Sequence, residues 1–125
     1  MARPWQFITH RVHGVLDMLV DVSLVALAVV AWQQGVSLAA AILPGIIGVA
    51  NLLYSMLTTY ALGRKHLISF PMHLGLDAAA GVVLLAGGAL FSEAMLYRVA
   101  LMVMGGGILG AVALTNPEVS EVEQR

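Results

Sequence analysis

The segment HRVHGVLDMLVDVSLVALAVVAW, residues 10–32, is long and apolar enough to cross a lipid bilayer as one α-helix. Its first half nevertheless contains four titratable side chains, which are His10, His13, Asp17 and Asp21. On a helix these positions fall within one arc of roughly 80°. Because a charged residue at the centre of a bilayer costs roughly 2.5 to 3.5 kcal/mol, we expect this polar stripe to face other helices rather than lipid.

The composition of the whole chain is that of a membrane protein. Of its 125 residues, 60% are hydrophobic and 10% are charged, whereas soluble domains contain roughly 25% charged residues. The formal net charge of -1 provides no basic surface for nucleic acid, so we expect no nucleic-acid partner. The absence of cysteine excludes disulfides and thiolate metal sites. We therefore expect the chain to lie in a lipid bilayer.

Four stretches have the length of a transmembrane helix, since about 20 apolar residues cross the hydrocarbon core. They lie at 12–32, 38–60, 68–91 and 95–114. The predicted fold class is therefore an all-α membrane protein with four transmembrane helices. Its predicted divisions are an N-terminal segment at 1–11, a first helical hairpin at 12–63, a second hairpin at 64–115 and an acidic tail at 116–125.

The basic residues predict the orientation of these helices. Only Arg98 lies on one side of the membrane, whereas the other five lysines and arginines lie on the opposite side. Cytoplasmic segments of membrane proteins carry an excess of lysine and arginine. We therefore expect both termini and the loop GRKH at 63–66 to be cytoplasmic. The five residues are Arg3, Arg11, Arg64, Lys65 and Arg125.

The two halves of the chain repeat each other. HGVLD at His13 recurs as HLGLD at His73, an offset of 60 residues. LTTY at Leu57 and LTNP at Leu114 close the second helix of each half, at an offset of 57. Two spans return the chain to the side on which it started, so the halves have the same orientation. Their predicted pseudo-two-fold axis runs along the membrane normal.

These segments resemble a known family. THRVHGVLD, LLYSMLTTYALG, ISFPMHLGLD and LTNP, between residues 9 and 117, are similar to the SPW-repeat proteins, small bacterial membrane proteins with four helices in two such hairpins. The Ser-Pro-Trp signature is absent, because the matching positions read VVAWQQG and GGALFSE. The resemblance implies a divergent relative in the bacterial cytoplasmic membrane, and it implies no activity.

The polar residues of the predicted helices form one intramembrane layer. We expect Asp21 to bond Asn51 near mid-membrane, and Thr58 and Thr115 to bond Asp17 and Asp77 nearer the cytoplasm. We call the whole set the polar layer: its members are His10, His13, Asp17, Asp21, Asn51, Thr58, His73, Asp77 and Thr115.

The polar layer has three interpretations. In the first, each histidine bonds the aspartate one turn along its own helix or the counterpart in the other repeat, and these bonds fix the packing. In the second, His13 and His73 ligate a haem, or the same histidines bind a divalent ion together with Asp17 and Asp77. In the third, histidines and carboxylates relay protons or a solute. The outer half of the helices offers no polar continuation of such a path, and four helices leave little room for a pore, so transport would need oligomers.

Small residues predict where helices pack closely. Gly106-x-x-x-Gly110 allows another helix to approach, either an internal neighbour or a second copy of the chain. Gly81 on the third helix favours the internal neighbour, and Gly48 shares a face of the second helix with Asn51.

No nucleophile with a neighbouring base is evident, because Ser23 and Ser55 have no histidine within a helical turn. Ser69 does precede His73 by four residues, but with Pro71 between them it is predicted to cap the third helix. We expect a non-enzymatic structural or accessory subunit that contacts lipid, other membrane subunits or a second copy of itself. The alternatives are a haem- or metal-binding electron-transfer component and a small oligomeric proton or solute transporter.

Overall fold

The computed structural model describes residues 3–58 and 67–118. These residues form four α-helices: α1 (His10–Gln33), α2 (Leu38–Met56), α3 (Phe70–Leu90) and α4 (Met95–Leu114). Each helix is long and apolar enough to span a membrane. The predicted all-α fold with four spans is confirmed, and the helices pair as two hairpins, α1 with α2 and α3 with α4.

The helix boundaries lie close to the predicted ones, with one informative exception. Helix α4 matches at both ends, whereas α2 ends at Met56 instead of residue 60. The chain leaves the helix because Leu57 pairs with the segment that leads into α3. The backbone N–H groups of Leu67 and Ile68 donate to the carbonyl oxygen of Leu57 at 2.9 and 2.8 Å. Two hydrogen bonds to the segment that leads into α3 thus mark the place where α2 stops.

Hydroxyl side chains cap the first three helices. Thr9, Ser37 and Ser69 each accept a hydrogen bond from the backbone N–H three residues later, at 3.3 to 3.4 Å. The predicted capping role of Ser69 is therefore confirmed. Capping satisfies one of the N–H groups that the first turn of a helix leaves unpaired. Gly35, at φ 86°, makes the turn between α1 and α2.

Apolar side chains cover most of the outer surface of the described bundle. Leu24, Leu84 and Leu101 are fully buried between the helices, whereas Leu90 and Leu96 are more than four-fifths exposed. Many other leucine, isoleucine and valine side chains on the helices are also exposed. Contact with lipid tails makes such a surface stable, and contact with water does not. The chain is a multi-pass membrane protein.

Glycines bring the helices of each hairpin into close contact. A Cβ atom added to Gly48 on α2 would lie 2.8 Å from the carbonyl oxygen of Asp21 on α1. A Cβ atom added to Gly105 on α4 would lie 2.7 Å from the carbonyl oxygen of Gly81 on α3. The offset of 60 residues leads from Asp21 to Gly81, and the offset of 57 leads from Gly48 to Gly105. Each repeat therefore contains the same contact.

The expected internal contact through Gly106 and Gly110 is not formed. No atom of another described helix lies within 4 Å of a Cβ atom added to either glycine, and both are exposed. The inner face of α4 instead carries Leu101, Gly105 and Ile108, which are buried at helical spacing. Gly105 therefore makes the contact that the sequence pattern assigned to its neighbour.

Several predictions concern segments outside the described residues. The loop GRKH, residue Arg125 and the acidic tail beyond residue 118 belong to them. The cytoplasmic location of the termini and the division of the chain into segments therefore stay predictions.

Candidate functional site

Four side chains of the polar layer meet between α1 and α3. His13 and Asp17 come from α1, and His73 and Asp77 come from α3; one nitrogen or oxygen atom of each lies within 4.8 Å of the others. A spacing of four residues places histidine and aspartate on one face of each helix. Since α1 and α3 are equivalent helices of the repeat, the two faces oppose each other. We call these four residues the His/Asp cluster.

Within the His/Asp cluster, each histidine bonds the aspartate of the other repeat most closely. The His13 Nε2 atom lies 2.8 Å from Asp77 Oδ2, and the His73 Nε2 atom lies 2.7 Å from Asp17 Oδ2. The aspartates one turn along the same helix are 3.2 and 3.3 Å away. Both kinds of pairing in the first interpretation are therefore present, and the shorter one joins the two hairpins.

Two threonines hold the other nitrogen of each imidazole. Thr115 Oγ1 lies 2.9 Å from His13 Nδ1, and Thr58 Oγ1 lies 2.9 Å from His73 Nδ1. Each hydroxyl donates its own hydrogen to the backbone carbonyl four residues earlier, at 2.5 and 2.6 Å. The threonine oxygen can then only accept from the ring, so Nδ1 carries a hydrogen. The other ring nitrogen, Nε2, faces the carboxylates.

The predicted partners of the two threonines were wrong. Thr58 and Thr115 bond the histidines rather than Asp17 and Asp77. Both threonines lie just beyond the ends of α2 and α4, level with the first turns of α1 and α3, whereas the aspartates lie one turn further in. The histidines are therefore the nearer partners.

Protons balance the charge of the His/Asp cluster. Two lone pairs do not approach to 2.7 or 2.8 Å, so each short contact between Nε2 and a carboxylate oxygen contains one proton. Two such protons compensate the two carboxylates. The cluster is neutral overall, as burial in a low-dielectric interior requires.

Tyr54 is a member of the site that the sequence analysis missed. Its hydroxyl donates to Asp77 Oδ1, and its ring packs edge-on against His73 with a centroid distance of 4.9 Å. The offset of 57 residues places Ala111 at the equivalent position, so Asp17 has no such partner. The side chain of Asp77 is 2% exposed and that of Asp17 is 15% exposed. The two halves of the cluster therefore differ in their burial.

His10 lies outside the His/Asp cluster. The ring of Phe70 stands between them, with centroid distances of 6.3 Å to His10 and 5.5 Å to His13. Phe70 also stacks on His73 at 5.9 Å. This phenylalanine covers the end of the cluster that faces the start of α1.

Asp21 and Asn51 are both buried and close together, as predicted, but their contact lacks the geometry of a normal hydrogen bond. The Asn51 amide is near enough to interact with Asp21, yet neither carboxylate oxygen of Asp21 has a hydrogen-bond partner of normal geometry among the described residues. The Ser55 hydroxyl is also unpartnered there. Asp21, Ser55 and Asp17 line a cavity of about 250 Å³ between α1 and α2. Buried polar residues thus lie at the edge of a cavity beside the His/Asp cluster.

A larger cavity of about 730 Å³ opens elsewhere between α1 and α2, near Trp32 and Leu38. Apolar side chains and Gly45 line it, so it offers no polar group to a ligand.

No family model, curated protein or solved structure matches this chain. The resemblance to SPW-repeat proteins therefore stays a prediction from the quoted motifs.

Proposed function

We propose that this protein is a non-catalytic structural or accessory membrane protein whose two hairpins are fastened by buried polar contacts. The observation that carries the proposal is the direction of these contacts. The His/Asp cluster, its two threonines and Tyr54 together form what we call the hairpin joint. Both threonine bonds, both short histidine–aspartate bonds and the tyrosine bond run from one hairpin to the other.

Other cross-hairpin contacts support this role at the opposite end of the bundle. The Tyr97 hydroxyl donates to the carbonyl oxygen of Ala40, and the Ser37 hydroxyl donates to Glu93 at 2.6 Å. Lipid tails are as apolar as leucine, so apolar side chains gain little by leaving lipid for a neighbouring helix. Polar contacts that have no partner in lipid therefore determine which helices stay together.

Replacing Thr58 or Thr115 with valine tests the fastening role. Valine has nearly the same shape but leaves one imidazole N–H without an acceptor. We expect each variant to lose about 1 kcal/mol of unfolding free energy, between the average of about 0.6 and the maximum of about 1.7 kcal/mol for polar contacts between membrane helices. The measurement is denaturant unfolding in detergent micelles, followed by circular dichroism.

The matched control is Ser23→Ala. The Ser23 hydroxyl also donates to a carbonyl four residues earlier, at 2.6 Å, but it is exposed and bonds only its own helix. We expect no change in unfolding free energy for this variant. Equal losses in all three variants would contradict a special role for the hairpin joint.

We also propose that the protein lies in a bacterial cytoplasmic membrane with both termini inside. Arg3, Arg11 and three further basic residues support this orientation. Because the chain has no cysteine, single introduced cysteines report the topology cleanly. We expect an impermeant thiol reagent added to intact cells to label Ser92→Cys, between α3 and α4, and not Glu118→Cys. Labelling of Glu118→Cys alone would show the opposite orientation.

A further inference from the structure

We propose that the His/Asp cluster binds one divalent transition-metal ion, and that zinc fits it best. The inference rests on the proposed function in one respect, because it adds a ligand to the hairpin joint. Its ligands are the Nε2 atoms of His13 and His73 and one carboxylate oxygen each from Asp17 and Asp77.

The spacing of the ligand atoms suits a four-coordinate ion. Zinc binds imidazole nitrogen and carboxylate oxygen at about 2.0 to 2.2 Å, which places the corners of a tetrahedron about 3.4 Å apart. Along the helices, His73 Nε2 lies 3.3 Å from Asp77 Oδ2 and His13 Nε2 lies 3.2 Å from Asp17 Oδ1. The short contact of His73 is with the other Asp17 oxygen, Oδ2. The contacts between helices are 2.7 and 2.8 Å and must open by roughly 0.6 Å once the protons leave. The ligand atoms all lie within 4.8 Å of one another, so any wider separations must close while these contacts open.

The threonines prepare both histidines for a metal. A histidine ligand ordinarily donates its second ring N–H to a fixed acceptor, which sets the tautomer and the ring orientation. Thr115 and Thr58 are such acceptors, since each uses its own hydrogen for a backbone carbonyl. This arrangement leaves the lone pair of each Nε2 atom directed at the centre of the cluster.

The charge of the cluster matches a divalent ion. Two carboxylates hold two protons in the metal-free cluster, and one divalent ion replaces both protons without changing the net charge. Neutrality matters here because an uncompensated buried charge is strongly destabilising. Metal binding by this route releases two protons. A monovalent ion would leave one carboxylate without compensation.

The cavity beside Asp17 provides an approach for the ion. Asp17 is the most exposed of the four ligands, and it shares that cavity with Asp21 and Ser55. The cavity of about 250 Å³ has room for several water molecules, each of which occupies about 30 Å³. Asp21 is 1% exposed, so Asp17 is the carboxylate that the ion meets first from this side.

The same geometry argues against a haem between the two histidines. A porphyrin ring needs open space between its two axial nitrogens. Here the Oδ2 atom of Asp77 lies 2.8 Å from His13 Nε2 and 3.3 Å from His73 Nε2. The carboxylates thus occupy the position that the macrocycle requires.

The test uses the full-length chain, purified in detergent without a histidine tag and stripped with a chelator. We expect Zn²⁺ to bind at one ion per chain, as counted by elemental analysis after desalting. Co²⁺ should give the strong visible bands of a tetrahedral site, and Zn²⁺ should abolish them. Bound metal should also raise the temperature of unfolding, because it binds only the folded chain.

Variants locate the ion. Asp77→Asn removes one ligand charge with almost no change of shape, so it should lose the stoichiometric ion and the cobalt bands. Thr58→Val should weaken zinc binding about 10- to 100-fold, as substitutions behind metal ligands do. Asp21→Asn and Glu93→Gln keep all four ligands and should retain one ion per chain. Circular dichroism and gel filtration confirm that each variant is folded.

Three outcomes would overturn the metal site. They are the absence of stoichiometric metal in the parent chain, unchanged binding in both Asp77→Asn and Thr58→Val, and loss of the ion in Asp21→Asn alone. The fastening role is judged separately, in metal-free protein. It fails if metal-free Thr58→Val and Thr115→Val unfold as the metal-free parent does, whatever the zinc titration shows.

Discussion

Asp77→Ala is expected to reduce the free energy of unfolding by about 3 kcal/mol, the lower end of the range for removing one partner of a buried ion pair. Asp77 accepts hydrogen bonds from His13, at 2.8 Å, and from Tyr54. It also lies 3.3 Å from His73. Alanine leaves these donors buried without an acceptor and removes one of the two negative charges of the His/Asp cluster. The measurement is denaturant unfolding of metal-free protein in detergent micelles.

Asp17→Ala is the control for this prediction. Asp17 bonds His73 at 2.7 Å, but its side chain is 15% exposed and no tyrosine donates to it. Water in the neighbouring cavity can also solvate the histidines after this substitution. We expect a loss smaller by roughly 1 kcal/mol, the net contribution of one hydrogen bond. A larger loss in Asp17→Ala than in Asp77→Ala would contradict the asymmetry described for the site.

Gly105→Val is expected to separate α3 from α4 and to cost about 3 kcal/mol, the upper end of the usual range for overpacking. A Cβ atom on Gly105 would lie 2.7 Å from the carbonyl oxygen of Gly81 and 3.0 Å from the Leu84 side chain. The carbonyl oxygen belongs to the helix backbone, so it cannot rotate away as a flexible side chain can. The whole helix must move instead. The expected result is a lower unfolding free energy in micelles.

The adjacent residue offers a close control for this substitution. Gly106 lies on the same helix, but no atom of another described helix comes within 4 Å of a Cβ atom placed there. We expect Gly106→Val to change the unfolding free energy by less than about 0.5 kcal/mol, as exposed substitutions usually do. Equal destabilisation by both valines would mean that the outward face of α4 is packed against something else.

The number and type of the helices follow from hydrophobicity alone. Backbone groups in lipid must satisfy one another within the same segment, so a long apolar run can only be a helix or part of a closed barrel. The end of α2 was harder to predict, since it depends on the bond between Leu57 and Ile68. The residues before position 60 contain no pattern that predicts this hydrogen bond.

The repeat predicted the His/Asp cluster but not its surroundings. Equivalent helices had to bring HGVLD and HLGLD to the same depth, and the structure shows that they meet. Depth alone could not decide whether a threonine would bond a histidine or an aspartate. Tyr54 was missed because it has no counterpart in the second half. Its spacing of one helical turn before Thr58 was the available signal.

The same repeat contained a better prediction of helix packing than the Gly-x-x-x-Gly pattern. Gly48 was recognised as a packing residue, and an offset of 57 leads from it to Gly105, not to Gly106. The Gly-x-x-x-Gly pattern describes only one helix. The offset of 57 residues instead predicts that a contact in the first hairpin recurs in the second. Symmetry within a chain is therefore the stronger guide here.

The backbone pairing beside Thr58 and Thr115 has a consequence for the order of the hairpins. Ile8 forms hydrogen bonds with Leu114, the last residue of α4, and with Asn116 beyond it, at 3.0 and 2.9 Å, much as Ile68 pairs with the chain after α2. The terminal segments thus adjoin each other as the middle segments do. A circular permutant opened between residues 58 and 67, with its old termini joined, would present the second hairpin first and retain every contact across the bundle.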